Sequence, residues 1–291
     1  MIISKIKFFI SKRFSPVAKI KWEIKSMMKG FRQFGDAKRY GDPIDLHGKQ
    51  HLHIYPVIQC QLDCYFCQNK YYTDKLPKLK ITDGATWAKY LNRFYNVHHL
   101  DINGGEGMLH PDIVTILNSL TNFNIVFFTN LPRTRLHAFK EIKPGRNNIM
   151  FCVSYHPLEE ERRGRDISQF IDDFKPIPKR LNPTVHVIDI PEVSYKNIRT
   201  AFAKRGIFIQ GLDAIVPTKY NKIRDKFRSV SCRSDMDCIA PDLNVYPCTG
   251  RMLRQISPVH IDEYKFNNDF INCDYYGLCG PCTSQKDVRE L

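Results

Sequence analysis

The chain has 291 residues, 43% of them hydrophobic and 12% aromatic, with a formal net charge of +14. That length and composition allow a substantial core and suit one large domain with an appendage. The sequence has no apolar run near the roughly 18 residues that a membrane-spanning helix needs. It also has no signal-peptide pattern around its short apolar patch at residues 8–10, so we expect a cytoplasmic protein. In a reducing compartment, ten cysteines favour metal binding over disulfides.

The positive charge is concentrated at the start of the chain. Residues 1–40 contain eleven Lys and Arg against two acids, a net +9, which leaves +5 of the +14 for the rest of the chain. Apolar residues recur within this segment, which is typical of basic amphipathic helices. We expect it to contact an anionic surface, either a membrane or nucleic acid, or an acidic partner. The alternative is a solvated helix that packs across the main domain.

Strand-like and helix-like segments alternate from about residue 50 onward. Short apolar, β-branched runs predict strands, and apolar residues at three- and four-residue spacing predict helices. The predicted strands are 52–58, 99–102, 124–129, 149–154, 184–190 and 206–210, and the predicted helices include 84–97, 111–122 and 194–205. Pro56 in the first strand indicates an edge position or an irregular end.

Six such alternations predict parallel βαβ units with right-handed crossovers. Six units are too few for a closed eight-stranded barrel, so we expect an α/β fold with a partial (βα)6 barrel that binds ligands at the carboxyl ends of its strands. The regular pattern stops near Ser229. We therefore predict a basic helical N-terminal extension (1–49), the partial barrel (50–228) and a small cysteine-rich C-terminal domain (229–291).

Three cysteines lie on one short loop after the first predicted strand. Cys60, Cys64 and Cys67 have the spacing C-x3-C-x2-C. Three thiolates on such a loop can converge on one metal centre, but an ordinary iron–sulfur cluster takes four cysteines. A three-cysteine set leaves one iron open for substrate chemistry. The alternative is a zinc site, although this spacing is not usual for zinc.

This pattern resembles the radical S-adenosylmethionine (radical SAM) superfamily. The resemblance rests on the aromatic residue Phe66 before the third cysteine, and on the sequence Asn-Gly-Gly-Glu at 103–106, which looks like the family's Gly-Gly-Glu motif. It covers about residues 50–225. The resemblance implies a partial barrel that binds a [4Fe–4S] cluster and S-adenosylmethionine.

The resemblance also implies roles for individual residues. The three cysteines of the loop would ligate three irons, and the methionine amino and carboxylate groups of the cofactor would chelate the fourth. Phe66 would flank the adenine, and the turn formed by Gly104, Gly105 and Glu106 would accept hydrogen bonds from the methionine ammonium. An electron from an external one-electron reductant would split the cofactor, giving a 5′-deoxyadenosyl radical that abstracts a substrate hydrogen.

Two later strand ends carry polar residues that resemble cofactor contacts of the family. Asn130 follows the strand 124–129, and Ser154 ends the strand 149–154, where it would contact the ribose. For Asn130 and for the nearby His156, turn formation or helix capping is an equal alternative.

A second group of cysteines lies in the C-terminal segment: Cys232, Cys238, Cys248, Cys273, Cys279 and Cys282. The segment resembles the start of the SPASM and twitch domains that follow radical SAM barrels, with Leu243 where glycine is expected. The resemblance implies one auxiliary [4Fe–4S] cluster whose four ligands are among Cys232, Cys238, Cys248, Cys279 and Cys282, with Cys273 the weakest candidate. A structural zinc site stays open as the alternative.

The resemblance implies an oxidoreductase-type radical SAM enzyme, because an auxiliary cluster can accept an electron from a substrate radical. Members with such domains modify peptides and proteins or dehydrogenate small alcohols, so we expect a peptide or a small polyol or sugar as substrate. The basic segment 1–40 suggests a second hypothesis, the modification of RNA or a nucleotide. A third hypothesis is a non-enzymatic iron–sulfur or zinc module.

Overall fold

The structure is a computed structural model that describes most of the chain after residue 30. The described residues are 28, 31–46, 51–67, 69, 76–97, 99–190, 192–213, 228–234, 236–265, 269–276 and 288–290. Most of the predicted basic segment, together with Cys279 and Cys282, therefore lies outside the described residues. Over the part of the chain that is described, no helix has the length and apolar character needed to cross a membrane.

The described residues form fourteen strands, numbered in chain order. They are β1 (Ile44–Asp45), β2 (His51–Ile54), β3 (Phe94–Tyr95), β4 (His99–Ile102), β5 (Asn124–Thr129), β6 (Asn148–Tyr155), β7 (Thr184–Asp189), β8 (Ile209–Asp213), β9 (Arg228–Cys232), β10 (Met236–Ile239), β11 (Asn244–Tyr246), β12 (Val259–His260), β13 (Ile271–Tyr276) and β14 (Val288–Glu290).

Helices occupy most of the longer connections between the barrel strands. The α-helices are 31–37, Gly84–Leu91, Ile113–Ser119, Ala138–Glu141, Pro157–Arg162, Ile167–Phe174, Tyr195–Ala203 and Thr249–Leu253, and short 3-10 helices lie at Gly107–Leu109, Arg133–Arg135 and Lys179–Leu181.

Nine of the strands form one sheet, in the order β12-β11-β10-β2-β4-β5-β6-β7-β8. From β2 to β8 along this row, every neighbouring pair is parallel. Six parallel strands thus follow one another in chain order, as expected for repeated βαβ units. This confirms the prediction of an α/β fold with a partial (βα)6 barrel. The described strands do not close the barrel, because β8 and β12 are the two ends of the row.

Side chains alternate between the two faces of the barrel strands. In β2, Leu52 and Ile54 are fully buried, and they belong to the main core together with Trp87 of the helix Gly84–Leu91. Burial of each such side chain stabilises the fold by about 1.5–3 kcal/mol. The alternate residues of β2, His51 and His53, lie on the opposite face and are only partly buried. This face carries polar side chains and is the inner face of the partial barrel.

The two largest errors in the predicted boundaries concern the end of the first predicted helix and the end of the first barrel strand. The predicted helix 84–97 ends at Leu91, because the side chain of Asn92 bonds to the loop after the next helix, accepting from Thr121 N and donating to Ser119 O. Phe94 is buried as expected, but in strand β3, which pairs with β1. The first barrel strand ends at Ile54, so Pro56 marks an irregular end and not an edge, since β2 lies between β10 and β4.

The C-terminal segment contributes to two sheets. Strand β10 pairs in parallel with β2, and β11 and β12 extend the main sheet from it, whereas β13, β9 and β14 form a separate antiparallel sheet. The main sheet therefore continues across the boundary that we predict near residue 228, and the division into domains stays a prediction.

The hairpin between β10 and β11 turns at the position where the SPASM pattern expects glycine. Leu243 has a φ of +65°, in the left-handed region that favours glycine. Its backbone N donates to the Ala240 carbonyl, and the Asp242 carboxylate accepts from Asn244 N. Burial of the Leu243 side chain in the main core offsets the backbone strain, so the turn forms without the glycine.

Candidate cluster and cofactor site

The three-cysteine loop follows β2 at the carboxyl end of the parallel strands. A turn in which Cys67 N donates to the Cys64 carbonyl folds the loop back on itself. Cys64 is buried beside Leu62 and Phe66, and the thiols of Cys60 and Cys67 lie at the edge of the same apolar cluster. Burial raises the pKa of the Cys60 thiol to about 11 and that of the Cys64 thiol to about 12, so both bind a metal only by releasing a proton.

The spacing of these thiols bears on which metal group the loop fits. Within the described ranges, one set of three His, Cys, Asp or Glu side chains has all its ligand atoms within 4.8 Å of one another. That set does not include the three cysteines of the loop. A zinc ion, with a Zn–S distance of about 2.3 Å, places tetrahedral thiolates only about 3.8 Å apart. At least one pair of the loop sulfurs is therefore further apart than the ligands of a single zinc ion.

Hydrogen-bond donors reach the Cys60 sulfur from two sides. The backbone N of Leu62 lies 3.4 Å from it, and the Asn130 side-chain Nδ2 lies 3.3 Å from it. The Asn130 amide also accepts from the side chain of Gln61, which fixes its orientation. N–H donors to a sulfur ligand stabilise its negative charge, and they tune the reduction potential of a cluster. Asn130, predicted as a cofactor contact or a turn residue, thus lies beside Cys60, the first cysteine of the loop.

The predicted Gly-Gly-Glu turn lies directly against the segment that leads into the cysteine loop. Gly105 N donates to the Val57 carbonyl, and Glu106 N donates to the Gln59 carbonyl, at 3.1 and 3.0 Å. A Cβ on Gly104 would lie 2.2 Å from the Val57 oxygen. Gly104 also has a φ of +136°, which L side chains rarely adopt. The glycines therefore allow two backbones to meet where the predicted cofactor turn and the cysteine loop adjoin.

The Glu106 side chain is buried and joins the ends of β4 and β5. Its carboxylate accepts from Met108 N at 2.9 Å, from the Thr129 hydroxyl at 2.8 Å and from Asn130 N at 2.6 Å. Burial raises the pKa of Glu106 to about 7, against the lowering effect of these three donors. Sequence reasoning assigned the turn to the cofactor and missed this role of the carboxylate, which positions Asn130.

Aromatic side chains form the wall beside the loop. The Phe66 ring lies 5.5 Å from the His156 ring, centroid to centroid, and 5.2 Å from that of Tyr65. The Tyr65 hydroxyl donates to Glu192 at 2.7 Å. Burial lowers the pKa of His156 to about 4, so its ring is neutral at pH 7. His156 begins the helix Pro157–Arg162 but makes no side-chain cap hydrogen bond there.

Ser154 lies further along the inner face of the barrel. It is half-buried on β6, in register with His186 of β7. The neighbouring Cys152 is buried, as expected for a small apolar side chain. The structure thus places Cys60, Cys64, Cys67, Phe66, Gly104, Gly105, Glu106 and Asn130 around one end of β2, β4 and β5, with Ser154 on the neighbouring β6.

The described members of the second cysteine group fall on different elements. Cys232 of β9 and Cys273 of β13 lie on one face of the separate sheet, because Cys232 pairs with Ile271 and Cys273 with Val230. Such diagonal neighbours lie about 7–8 Å apart between Cα atoms. Cys248 precedes the helix Thr249–Leu253, whose Arg251 donates to the Asn272 carbonyl beside Cys273.

Cys238 belongs to a different sheet from Cys232 and Cys273, since it lies on β10 of the main sheet. It is fully buried in an apolar cluster, and its thiol lies 3.5 Å from the Thr249 hydroxyl. Pairing of β9 with β13 makes Cys273 a stronger candidate ligand than the sequence indicated, because register cannot be read from cysteine spacing alone.

Solved structures with a similar backbone include two of anSMEcpe. Hexahistidine-tagged anSMEcpe with bound AdoMet has a TM-score of 0.51 and 12% identity, over 74% of this chain and 78% of that chain. Native anSMEcpe with bound AdoMet and Kp18Cys peptide has a TM-score of 0.50 and 13% identity over the same shares. Streptococcus suis SuiB bound to precursor peptide SuiA has a TM-score of 0.46 and 13% identity, over 80% of this chain and 66% of SuiB.

The comparisons establish the fold of the chain. No protein-family model matches the sequence, and no curated protein matches it. The chain spans just under two thirds of the length of SuiB, and all identities are below 15%. The chain shares its fold with anSMEcpe over about three quarters of its length.

Proposed function

We propose that the chain is a radical SAM enzyme in which Cys60, Cys64 and Cys67 hold a [4Fe–4S] cluster with one open iron. The observation that carries this proposal is the direct backbone pairing of the Gly-Gly-Glu turn with the segment entering the cysteine loop, within the radical SAM fold. A zinc site would explain the three cysteines but not that pairing. When bound and reduced, the cluster would supply the electron that splits S-adenosylmethionine into methionine and a 5′-deoxyadenosyl radical.

The chain's own residues would prepare this site. The three thiols would bind iron, and Leu62 N and Asn130 would stabilise the charge on the Cys60 sulfur. Phe66 would exclude water on one side of the loop and present its ring to the adenine. The carbonyls of Gly104 and Gly105 would receive the methionine ammonium, and Ser154 would contact the ribose.

We further propose that the substrate is a peptide and that the net reaction is an oxidation. A solved structure of similar fold, anSMEcpe, holds AdoMet together with a peptide, which favours a peptide over a small polyol or sugar. An auxiliary [4Fe–4S] cluster held by the C-terminal cysteines would accept the electron of the substrate radical. The RNA hypothesis rests on residues 1–40, most of which lie outside the described residues.

Cleavage of S-adenosylmethionine tests the proposal. We expect the anaerobically iron-loaded, dithionite-reduced protein to release 5′-deoxyadenosine, detected by mass spectrometry, and Cys64→Ala to reduce the rate at least about 10³-fold because the cluster loses a ligand. Cys152→Ala is the matched control, since this cysteine is equally buried but lies on β6. Absence of 5′-deoxyadenosine from iron-loaded wild type, or full activity of Cys64→Ala, would contradict the proposal.

A further inference from the structure

Two histidines and an aspartate converge on the inner face of the barrel, where His53 of β2 pairs in register with Cys238 of the neighbouring β10. Parallel pairing of β2 with β4 sets His51 opposite His99 and His53 opposite Asp101. The alternate residues of both strands are buried in the main core, so these four side chains share the opposite face. None of these four residues belongs to a predicted site.

The distances between the three side chains match those of a metal site. The Asp101 Oδ2 atom lies 3.4 Å from His51 Nδ1 and 3.2 Å from His53 Nε2, and the three ligand atoms all lie within 4.8 Å of one another. With metal–ligand distances of about 2.0–2.1 Å, adjacent ligands lie about 2.9 Å apart in an octahedral site and about 3.4 Å apart in a tetrahedral one. The two separations from Asp101 fall within that interval, and the two histidine nitrogens lie within 4.8 Å of each other.

The hydrogen bonding of His51 is incomplete without a further partner. Its Nδ1 atom is buried and has no hydrogen-bond partner among the described residues, since its approach to Asp101 lacks hydrogen-bond geometry. A buried imidazole nitrogen without a partner destabilises the folded protein. A metal ion bound at Nδ1 would remove that cost. The His99 ring stacks on His51 at 5.3 Å between centroids and limits the rotation of the imidazole.

His53 has an outer partner in the side-chain amide of Asn103. The Asn103 Nδ2 atom lies 3.1 Å from His53 Nδ1, so metal binding at Nε2 requires the amide to turn by 180° and present its oxygen to the ring. The two orientations of the amide occupy the same space, so the oxygen can take the place of Nδ2. Asn103 then accepts a hydrogen bond from Nδ1–H of His53. This leaves the Nε2 lone pair of His53 for a metal. An outer acceptor of this kind fixes the tautomer and orientation of a ligating histidine.

We propose that His51, His53 and Asp101 bind one divalent transition-metal ion of the zinc or ferrous class. Two imidazoles and one carboxylate are a common donor set for these ions, and they leave coordination positions open for water or a substrate group. Cys60 follows His53 by seven residues, and seven residues of extended chain span about 23 Å. The proposed ion therefore lies within about that distance of the cysteine loop. It is a mononuclear site, distinct from the clusters.

Zinc retention and zinc X-ray absorption on the intact, iron-loaded protein test this site. Iron occupies the cysteines in that sample, and the zinc edge reports only zinc. After dialysis against zinc and desalting, we expect one zinc per chain with nitrogen and oxygen neighbours at about 2.0–2.1 Å and no sulfur neighbour at about 2.3 Å. Wild type that retains no zinc, or zinc with a sulfur shell, would overturn the proposal.

Variants separate this site from other histidines of the inner face. We expect Asp101→Asn and His53→Gln to weaken zinc binding at least about 10²-fold, and Asn103→Ala about 10–100-fold. His186→Gln is the matched control, because His186 lies on the same face of β7 but bonds to Thr184. Iron content and circular dichroism confirm that each variant is folded. Equal zinc binding by Asp101→Asn and wild type would refute the assignment.

Discussion

The two cysteine groups differ in how far apart their members lie along the chain. Cys60 to Cys67 lie within eight consecutive residues on one loop, whereas Cys232 to Cys282 span 51 residues and several elements. The loop needs only one turn and the neighbouring strand ends to assemble. The second group needs the pairing of β9 with β13 before Cys232 and Cys273 approach each other. A metal site built on one loop can therefore be recognised in a sequence, but one built across strands cannot be assigned ligand by ligand.

The largest expected effect comes from removing the loop ligands while leaving the C-terminal cysteines intact. If each group holds its own cluster, wild type should contain about eight irons per chain. The Cys60→Ala/Cys64→Ala/Cys67→Ala variant should contain about four and should lose all cleavage of S-adenosylmethionine. Iron and sulfide analysis with EPR spectroscopy measures this. Cys152→Ala should keep both clusters. If the triple variant contains no iron, the C-terminal cysteines do not hold a second cluster.

Glu106 gives the next largest effect, on the cluster-free protein. Its pKa of about 7 lies above the ordinary value of 4.5, so its protonated form is favoured by folding. Its contribution to stability is complete below about pH 4.5 and is lost as the pH rises through 7, about 3 kcal/mol in all. Glu106→Gln cannot titrate, so the unfolding free energy of wild type should fall relative to that of Glu106→Gln between pH 5 and 8.

Urea unfolding at several pH values measures this difference in slope. Glu141→Gln is the control, because Glu141 is exposed at the end of a helix and should leave the wild-type slope unchanged. Parallel pH profiles for wild type and Glu106→Gln would mean that burial does not govern this carboxyl group.

Asn130→Ala is expected to change the cluster without removing it. Loss of the N–H donor at 3.3 Å from the Cys60 sulfur leaves the charge of the reduced cluster less stabilised. The midpoint potential should become more negative by about 60 mV, the equivalent of a tenfold change for one electron. EPR-monitored redox titration measures this shift, with Asn118→Ala as a control distant from the loop. An unchanged potential would show that the amide does not act on this sulfur.

The smallest expected effect concerns the turn at Leu243 in the hairpin between β10 and β11. Leu243→Ala and Leu243→Gly both remove a buried side chain, but only glycine relieves the left-handed backbone. Leu243→Gly should therefore be more stable than Leu243→Ala by about 1 kcal/mol, in thermal or urea unfolding. If the alanine variant is the more stable one, the turn does not have the geometry described.

The same contrast explains how far the sequence could be interpreted. Periodic apolar runs located six parallel strands, and two motifs located the cysteine loop and the Gly-Gly-Glu turn that pairs with the segment before it. The end of the helix at Leu91 depended on the tertiary contacts of Asn92 with Ser119 and Thr121, which no local pattern contains. Likewise, the His51, His53 and Asp101 cluster depends on the register between β2 and β4, and a shift of one residue would move Asp101 to the other face.

The open iron of the loop cluster is the central claim, and electron–nuclear double resonance tests it most directly. The measurement uses the reduced, iron-loaded protein with S-adenosylmethionine labelled with ¹⁷O in the methionine carboxylate. We predict ¹⁷O coupling to the cluster signal in wild type and none in the Cys60→Ala/Cys64→Ala/Cys67→Ala variant, which keeps Cys152 and the C-terminal cysteines. A cluster signal in wild type without ¹⁷O coupling would contradict the account.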